Sequence, residues 1–290
     1  MNITTASKHP SSIPGPAYVF IAALLYSLGG VCIKVIPWNG LSINSARNLI
    51  SVAVIGLYLT FIRHKVTVSR WVLLGALCVC GTNTLYALAN KLTTAANTIV
   101  LQYTAPIFVI LLTLIFFRKR PAKTDLWCCA VTLLGVLCFF VDSMSAGDAL
   151  GNVLALLSGL TYAGVFLLND MPDADPISSI LLGNIFSVLI GFHSLTQETS
   201  FSAVTITSVM ILGVFQVAVA YICLTIGLRT TPAVTASLIS GVEPVLNPIL
   251  VAIVCHEMIG PLSLIGAVIV IAAVLTDNLL HARRVRTAAA

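Results

Sequence analysis

The sequence predicts an all-α integral membrane protein with ten transmembrane helices, arranged as two inverted five-helix repeats. Of the 290 residues, 58% are hydrophobic and 9% are charged, whereas soluble proteins carry about 25% charged residues. Apolar runs of about 20 residues recur along the chain, and each can cross a hydrocarbon core of roughly 30 Å. The second half of the chain also repeats the pattern of the first at a nearly constant offset. Together these observations indicate a polytopic membrane protein built by duplication.

Short polar connections divide the chain into ten candidate spans and leave no room for a soluble domain. The spans are 16–36, 43–62, 71–90, 96–117, 125–142, 150–168, 177–195, 204–228, 233–255 and 261–280. The eighth and ninth are separated least clearly, by the segment Arg-Thr-Thr-Pro alone. Residues 1–15 and 281–290 form short tails, of which the second is basic.

The basic residues are distributed unevenly between the connections, and this predicts the orientation. With the N-terminus inside, twelve of the 15 Lys and Arg residues lie in inner segments: Lys8, Arg63, Lys65, Arg70, Arg118, Lys119, Arg120, Lys123, Arg229, Arg283, Arg284 and Arg286. The outer connections contain only Lys91. The positive-inside rule therefore predicts a plasma-membrane protein with both termini in the cytoplasm, as in a bacterial inner membrane. The net charge of +5 follows from this bias and indicates no nucleic-acid partner.

The two halves, 16–142 and 150–280, align with almost no gaps. Identical or similar residues recur at a separation of 136 to 138: Gly15/Gly151, Tyr26/Tyr162, Asn48/Asn184, Ser51/Ser187, Gly75/Gly213, Lys91/Arg229, Thr93/Thr231, Ala95/Ala233, Pro106/Pro244, Ala130/Ala267 and Val131/Val268. Because each repeat has an odd number of spans, the second repeat enters the membrane from the opposite side. Inverted repeats of this kind are common in secondary transporters.

The segment "TTAANTIVLQYTAPIFVILLTLIF" and its counterpart "TTPAVTASLISGVEPVLNPILVAI", together with the five-plus-five organisation, resemble the drug/metabolite transporter superfamily with two EamA-type domains. The resemblance covers about residues 15–280. It implies a central cavity lined by the first, third and fourth spans of each repeat, and export of amino acids or other small metabolites. The family often has Gly-Glu after the fourth span, where this chain has "RKRP" and "CHEM", so that Glu receives no role.

Glu243 lies near the centre of the ninth span and is followed by Pro244. A carboxylate at mid-bilayer costs roughly 2.5 kcal/mol or more, so it should face protein or water. Proline removes a backbone donor, and broken backbone at this depth is tolerated where it lines a cavity. We expect Pro244 and its counterpart Pro106 to interrupt their helices beside a polar site. The alternative is a buried, protonated Glu243 with a purely structural role.

Ten further polar residues on equivalent spans are candidates for the same substrate-binding site: Tyr26, Asn83, Tyr86, Gln102, Tyr103, Tyr162, Gln216, Tyr221, Ser240 and Asn247. Ser240, Glu243 and Asn247 are spaced along one helical face. Interhelical hydrogen bonding is the simpler account of each residue alone. Lys34 and Arg47, near the outer ends of their spans, either snorkel to the interface or attract an anionic substrate; snorkelling is the simpler account.

These features together predict a secondary transporter that moves a small-molecule substrate by alternating access, with Glu243 as a site for coupled protons or without coupling. A lipid-carrier flippase or a channel-like facilitator of the same fold is the alternative. We expect no enzyme and no cofactor, because the five His residues lie in tails, connections or span ends and no Walker A motif is present. Membrane lipid surrounds the chain in either case, and both a monomer and a homodimer remain open.

Overall fold

The structure is a computed structural model that describes residues 13–93, 95–118, 121, 123–142, 149–170 and 173–255, with parts of 261–276. Most of the predicted tail 1–15, the basic tail 281–290 and half of the tenth predicted span lie outside these residues. The described part is helical and contains no strand. Its α-helices are α1 Gly15–Tyr26, α2 Leu28–Val35, α3 Gly40–Phe61, α4 Arg70–Leu92, α5 Ala95–Gln102, α6 Ala105–Phe117, α7 Lys123–Asp142, α8 Ala149–Phe166, α9 Pro176–Leu195, α10 Ala203–Ile211, α11 Ala220–Leu228, α12 Ala233–Ile239 and α13 Glu243–Cys255.

Eight helical segments in the described residues are long and apolar enough to cross a membrane. They are Gly15–Val35, Gly40–Phe61, Arg70–Leu92, Thr98–Phe117, Ala149–Phe166, Pro176–Leu195, Ala203–Leu228 and Ala233–Val254. Their ends lie within three residues of the predicted spans one to four and six to nine. The fifth predicted span is helical as α7, with the apolar part Leu126–Gly135. By length and composition, the described residues therefore contain eight candidate spans, and a count of ten remains a prediction.

The helices begin at capping residues that lie in the predicted connections. The Asn39 side chain accepts a hydrogen bond from the Ser42 amide at 2.9 Å, and the Asp175 side chain accepts one from the Ser178 amide at 3.3 Å. Such caps satisfy amide groups that have no partner within the helix. Asn39 and Asp175 occupy equivalent positions, 136 residues apart, so the duplication extends to the signals that start α3 and α9.

The two repeats exchange equivalent contacts. Helix α3 packs along α9, while α4 packs on α8 in the same way as α11 packs on α1. Gly15 lies against Thr230 and Thr231, and its counterpart Gly151 lies against Leu92 and Thr93. A contact from the first repeat to the second is therefore matched by an equivalent contact from the second repeat to the first, as expected for repeats related by a twofold axis.

Three spans are irregular near their centres. The fourth is interrupted at residues 103–104, between α5 and α6, and the ninth has a 3₁₀ turn, Ser240–Val242, between α12 and α13. Pro106 and Pro244 each fall in the first turn of the following helix, where the missing amide donor costs no helical bond. The eighth span contains the π-helical segment Leu212–Val219, a feature frequently found at functional sites.

Candidate functional site

A small polar cavity lies between the irregular spans. Its lining comes from the first, third, fourth, sixth, eighth and ninth spans and from α3: Tyr26, Arg47, Thr82, Asn83, Tyr86, Gln102, Tyr162, Gln216, Tyr221 and Glu243. Seven of these are predicted site residues besides Glu243, and the structure brings them together at one place. The cavity has a volume of about 30 Å³, which is room for a water or two.

Buried polar atoms without a hydrogen-bond partner concentrate around this cavity. Among the described residues, fifteen such side-chain atoms occur, and seven of them line the cavity or adjoin the two helix breaks. The seven are Tyr26 Oη, Arg47 Nε, Tyr103 Oη, Tyr162 Oη, Ser240 Oγ, Glu243 Oε2 and Asn247 Oδ1. Because leaving a buried polar atom unpaired costs about 1–3 kcal/mol, this concentration points to a site that binds polar ligands or water.

Arg47 corrects the expectation from sequence. It does not snorkel to an interface but is 1% exposed and faces the cavity. Its Nη1 donates to Gln216 Oε1 at 3.2 Å, and its Nη2 donates to the Asn83 carbonyl at 2.8 Å. Helix α3 begins at Gly40, three residues before the predicted start of the span, so Arg47 lies two turns inside the helix.

Glu243 lies ten residues from Ala233 and eleven from Val254, the ends of its span, and is 4% exposed. It shares the cavity with Arg47, which the sequence did not predict as a neighbour. Between these two described side chains there is no ion pair within 4 Å, and Glu243 Oε2 has no partner. The site therefore holds one basic and one acidic group that do not neutralise each other by direct contact.

Tyrosine rings form the wall between the repeats. The ring of Tyr26 meets those of Tyr162 and Tyr221 edge to face, with centroids 6.2 and 5.7 Å apart. Tyr162 packs on Phe166 at 4.7 Å. Edge-to-face contacts of this kind are favourable beyond simple burial. Tyr26 and Tyr162 are equivalent by duplication, so this wall crosses the twofold axis.

The remaining predicted residues lie beside the helix breaks. The Asn247 amide donates to Tyr86 Oη at 3.3 Å, and Asn247 packs directly against Gly30, where a methyl group would clash. Tyr103 lies in the break of the fourth span and Ser240 in that of the ninth, each 1% exposed. These residues border the cavity in the structure without being among those that line it.

A network of hydrogen bonds between buried amide side chains holds Asn83, whose carbonyl accepts from Arg47. This network was not predicted from the sequence. Asn83 Nδ2 donates to Asn48 Oδ1 and to Asn184 Oδ1, both at 3.0 Å, and Asn184 Nδ2 donates to Ser51 Oγ at 2.9 Å. The network joins α3, α4 and α9. Its signal was present in the identities Asn48/Asn184 and Ser51/Ser187, which are polar residues repeated inside apolar spans.

The helices that flank the cavity close it towards both ends of the bundle. We call the end formed by residues 62–69, 167–170, 173–175 and 229–232 the His64 face, and the end formed by residues 36–39 and 196–202 the Trp38 face. At the His64 face, α6 contacts α12, and at the Trp38 face, α5 contacts α13. A larger cavity of about 370 Å³, lined by Thr113, Arg229 and neighbouring residues, opens at the His64 face.

Polar contacts join the repeats at each face. At the His64 face, Asp175 Oδ2 accepts from Thr67 Oγ1 at 2.7 Å and from Ser178 Oγ at 2.6 Å, and lies 2.9 Å from His64 Nε2. Burial alone would raise the pKa of Asp175, but the hydrogen bonds from these three side chains outweigh it and hold the pKa below its usual value.

At the Trp38 face, the Asn39 side chain donates to Glu198 Oε1 at 3.2 Å, and Trp38 Nε1 donates to the Ser200 carbonyl at 2.7 Å. Asn39 is the counterpart of Asp175. The helix caps Asn39 and Asp175 therefore join the repeats at equivalent positions of the two faces. Asn39 does so through its amide, and Asp175 through a carboxylate that contacts His64.

The comparisons with known proteins agree with this architecture. The EamA-like transporter family matches residues 13–141 and again residues 149–276. An uncharacterized transporter, YwfM, of Bacillus subtilis (strain 168) is 26% identical over 268 residues, covering 86% of this chain and 88% of the relative. An uncharacterized transporter of Clostridium kluyveri is 23% identical over 284 residues, covering 89% and 90%. One crystal structure superposes with a TM-score of 0.72 at 17% identity, over 93% of this chain and 98% of the other, and shows the fold alone.

Proposed function

Because the chain belongs to the EamA-like transporter family, we propose that it is a secondary transporter of small polar or amphipathic metabolites, specifically of amino acids or related compounds. It exports them across the plasma membrane, the inner membrane of a bacterium, by alternating access, and both termini lie in the cytoplasm. The observation that carries this proposal is the closed cavity between the broken spans, with its concentration of unpaired polar atoms. The relatives are named transporters, and no catalytic step or cofactor forms part of the proposal.

Unpaired polar atoms support ligand binding because a buried donor or acceptor gains most when a ligand supplies the missing partner. The hydroxyl of Tyr26, Nε of Arg47 and Oε2 of Glu243 lack a partner and border one space. A substrate that hydrogen-bonds to several of them would recover several of these losses at once. A purely structural role predicts the opposite, since structural polar residues in apolar spans are satisfied by their neighbours.

The twofold exchange of contacts supports alternating access. The half-helices α6 and α12 close the cavity towards the His64 face, and α5 and α13 close it towards the Trp38 face. Because the repeats are equivalent, a movement that separates one pair of half-helices has a counterpart that separates the other. The positive-inside rule places the His64 face in the cytoplasm, so the 370 Å³ cavity there would admit substrate from inside.

Glu243 is the acid that would carry a coupled proton. Its Oε2 has no hydrogen-bond partner and it is central in its span, and intramembrane acids in such positions commonly belong to proton relays. Facilitated diffusion without a coupled proton is the other energetic mode of the same carrier. Flux measured with and without an imposed pH gradient separates the two.

A lipid-carrier flippase is the second candidate, and a specific feature favours it. An apolar cavity of about 410 Å³ lies between α4, α6 and α8, lined by Trp71, Phe116, Leu160 and neighbouring residues. Such a cavity suits the acyl chain of an amphipathic substrate. It does not include the polar residues around Glu243, and for that reason we place the soluble-metabolite carrier first. A channel-like facilitator of the same fold is the third possibility.

Counterflow in proteoliposomes tests the proposal. Vesicles loaded with a panel of unlabelled L-amino acids are diluted into tracer amounts of each labelled compound. A carrier accumulates tracer transiently and saturably, whereas a channel equilibrates it without saturation. The matched variants are Gln216→Ala, which removes a cavity residue bonded to Arg47, and Gln197→Ala, at an exposed position of the Trp38 face.

We expect counterflow to fall at least tenfold in Gln216→Ala and to remain unchanged in Gln197→Ala. Lipid translocation without counterflow would favour the flippase, and flux proportional to concentration would favour the channel. Equal activity of the two variants would contradict the assignment of the cavity as the binding site.

A further inference from the structure

We propose that the cavity recognises zwitterions by both of their charges, with Arg47 binding the carboxylate and Glu243 binding the ammonium group. The inference deepens the proposed transport function and rests on it. It assigns to the site a substrate class, small molecules that carry one positive and one negative group and no net charge. It also gives Arg47 a role in binding as well as in structure.

The two charges are additions to a symmetric framework. Arg47 corresponds to Gly183 in the second repeat, at a separation of 136, and Glu243 corresponds to Ala105 in the first, at a separation of 138. At each of these two pairs of equivalent positions, one repeat therefore has a charged residue and the other has a small residue. Neither charge is needed by the helix packing that the two repeats share, and each repeat contributes one of the pair.

The geometry leaves both charges able to accept a ligand. Arg47 and Glu243 line the same cavity and are almost fully buried, but they form no ion pair with each other. Arg47 Nε–H has no acceptor, and Glu243 Oε2 has no donor. The other guanidinium nitrogens of Arg47 donate to Gln216, Asn83 and Asn44, all uncharged acceptors, and a buried charge without an oppositely charged partner is unfavourable. A ligand carboxylate at Arg47 and a ligand ammonium at Glu243 would satisfy both groups in one binding event.

The balance of charge favours a zwitterion over a simple ion. The cavity lining contains one basic and one acidic side chain. A purely anionic ligand would pair with Arg47 but bring no positive charge to Glu243. A purely cationic ligand would pair with Glu243 but bring no negative charge to Arg47. A zwitterion leaves neither buried charge uncompensated. The rings of Tyr26, Tyr162 and Tyr221 offer an apolar surface for the remainder of the molecule and negative ring faces for its ammonium group.

The present conformation is too closed for such a ligand. Its volume of about 30 Å³ holds water alone, so an amino acid must bind in a form in which the half-helices have separated. The closed state therefore corresponds to the site without substrate.

Binding of a matched ligand series to the purified full-length protein tests this inference. The probes are a panel of L-amino acids, their methyl esters, which lack the carboxylate charge, and their N-acetyl derivatives, which lack the ammonium charge. Thermal shift and calorimetry measure affinity for each. Because charge-assisted hydrogen bonds are worth about 1.5–3 kcal/mol, we expect each blocked form of the best ligand to bind roughly tenfold or more weakly to the wild type.

Two variants assign each charge to its residue. In Arg47→Gln, the free acid and the methyl ester should differ less than threefold, while the N-acetyl compound remains weak. In Glu243→Gln, the free amine and the N-acetyl compound should become equal, while the ester remains weak. This crossed pattern would not arise from general loosening of the site. The wild-type series needs no substitution, so it decides the question even if a variant does not fold.

Three outcomes would overturn the inference: blocked derivatives that bind the wild type as tightly as the free amino acids, variants that lose both preferences together, or no binding of any zwitterion in the panel. The proposed function is judged separately. If an ester or another compound that is not a zwitterion shows saturable counterflow, transport stands and zwitterion recognition falls. If zwitterions bind with the crossed pattern but no compound shows counterflow, the recognition stands and the transport proposal falls.

Discussion

Asn184 joins the two repeats, and removing its side chain should loosen their interface measurably. It is fully buried and forms two interhelical hydrogen bonds, accepting from Asn83 at 3.0 Å and donating to Ser51 at 2.9 Å. Hydrogen bonds between membrane helices average about 0.6 kcal/mol and reach about 1.7 kcal/mol. The loss of two bonds in Asn184→Ala should therefore lower the free energy of unfolding by about 1–3 kcal/mol.

Reversible denaturation of the purified protein in detergent micelles measures this change. Asn152→Ala is the matched control, because the half-buried Asn152 accepts a single bond, from Thr93 at 3.2 Å, and should cost no more than about 0.6 kcal/mol. A double-mutant cycle with Asn83→Ala should give a coupling of about 0.6–1.7 kcal/mol. A coupling near zero, or equal effects of Asn184→Ala and its control, would refute the view that this network holds the repeats together.

Three further outcomes are expected. Glu243→Gln should fold, because the amide mimics the neutral acid in size. It should still bind substrate, but about tenfold or more weakly, since the ammonium group loses its charged partner, and the remaining transport should no longer depend on pH; pH profiles identical to wild type with intact flux would assign Glu243 a structural role. Asp175→Ala should lose about 1 kcal/mol at pH 7 with its helix cap, whereas Asp175→Asn keeps a cap. Hydrogen bonds lower the pKa of folded Asp175. Wild type should therefore be more stable than Asp175→Asn above the ordinary carboxyl pKa, and this difference in stability should vanish as pH falls through the lowered pKa. Melting temperatures of the two proteins that differ by a constant amount from pH 3 to pH 7 would contradict this. A reporter fused after Arg286 should be active only in the cytoplasm; activity only outside would reverse the topology.

Hydropathy was sufficient to locate the eight candidate spans of the described residues, because each transmembrane helix must be apolar over its length. The duplication located the helix breaks, since Pro106 and Pro244 stand at equivalent positions. The lone carboxylate near the centre of a span directed attention to Glu243, and the polar residues on equivalent spans then identified most of the cavity lining. These signals are local or repeat at a fixed offset, which is why one sequence contains them.

The position of Arg47 could not be obtained in the same way. Its depth depends on where α3 begins, and the Asn39 cap starts that helix at Gly40, several residues before the apolar run. Its direction depends on packing against α4 and the π-helical segment, where Asn83 and Gln216 accept its hydrogen bonds. Hydropathy describes the average character of a segment and not the partners of one side chain.

Thiol labelling tests most directly whether the site beside Glu243 is reached from each side of the membrane in turn. Ser240, buried in the break of the ninth span, is replaced by Cys in a chain whose eight native cysteines have been substituted. A membrane-impermeant thiol reagent is then applied to right-side-out and inside-out vesicles, with and without a compound that supports counterflow. Alternating access predicts labelling from both sides and protection by that compound from both sides. Labelling from one side only, or labelling that the compound does not slow, would contradict a shared central site with alternating access.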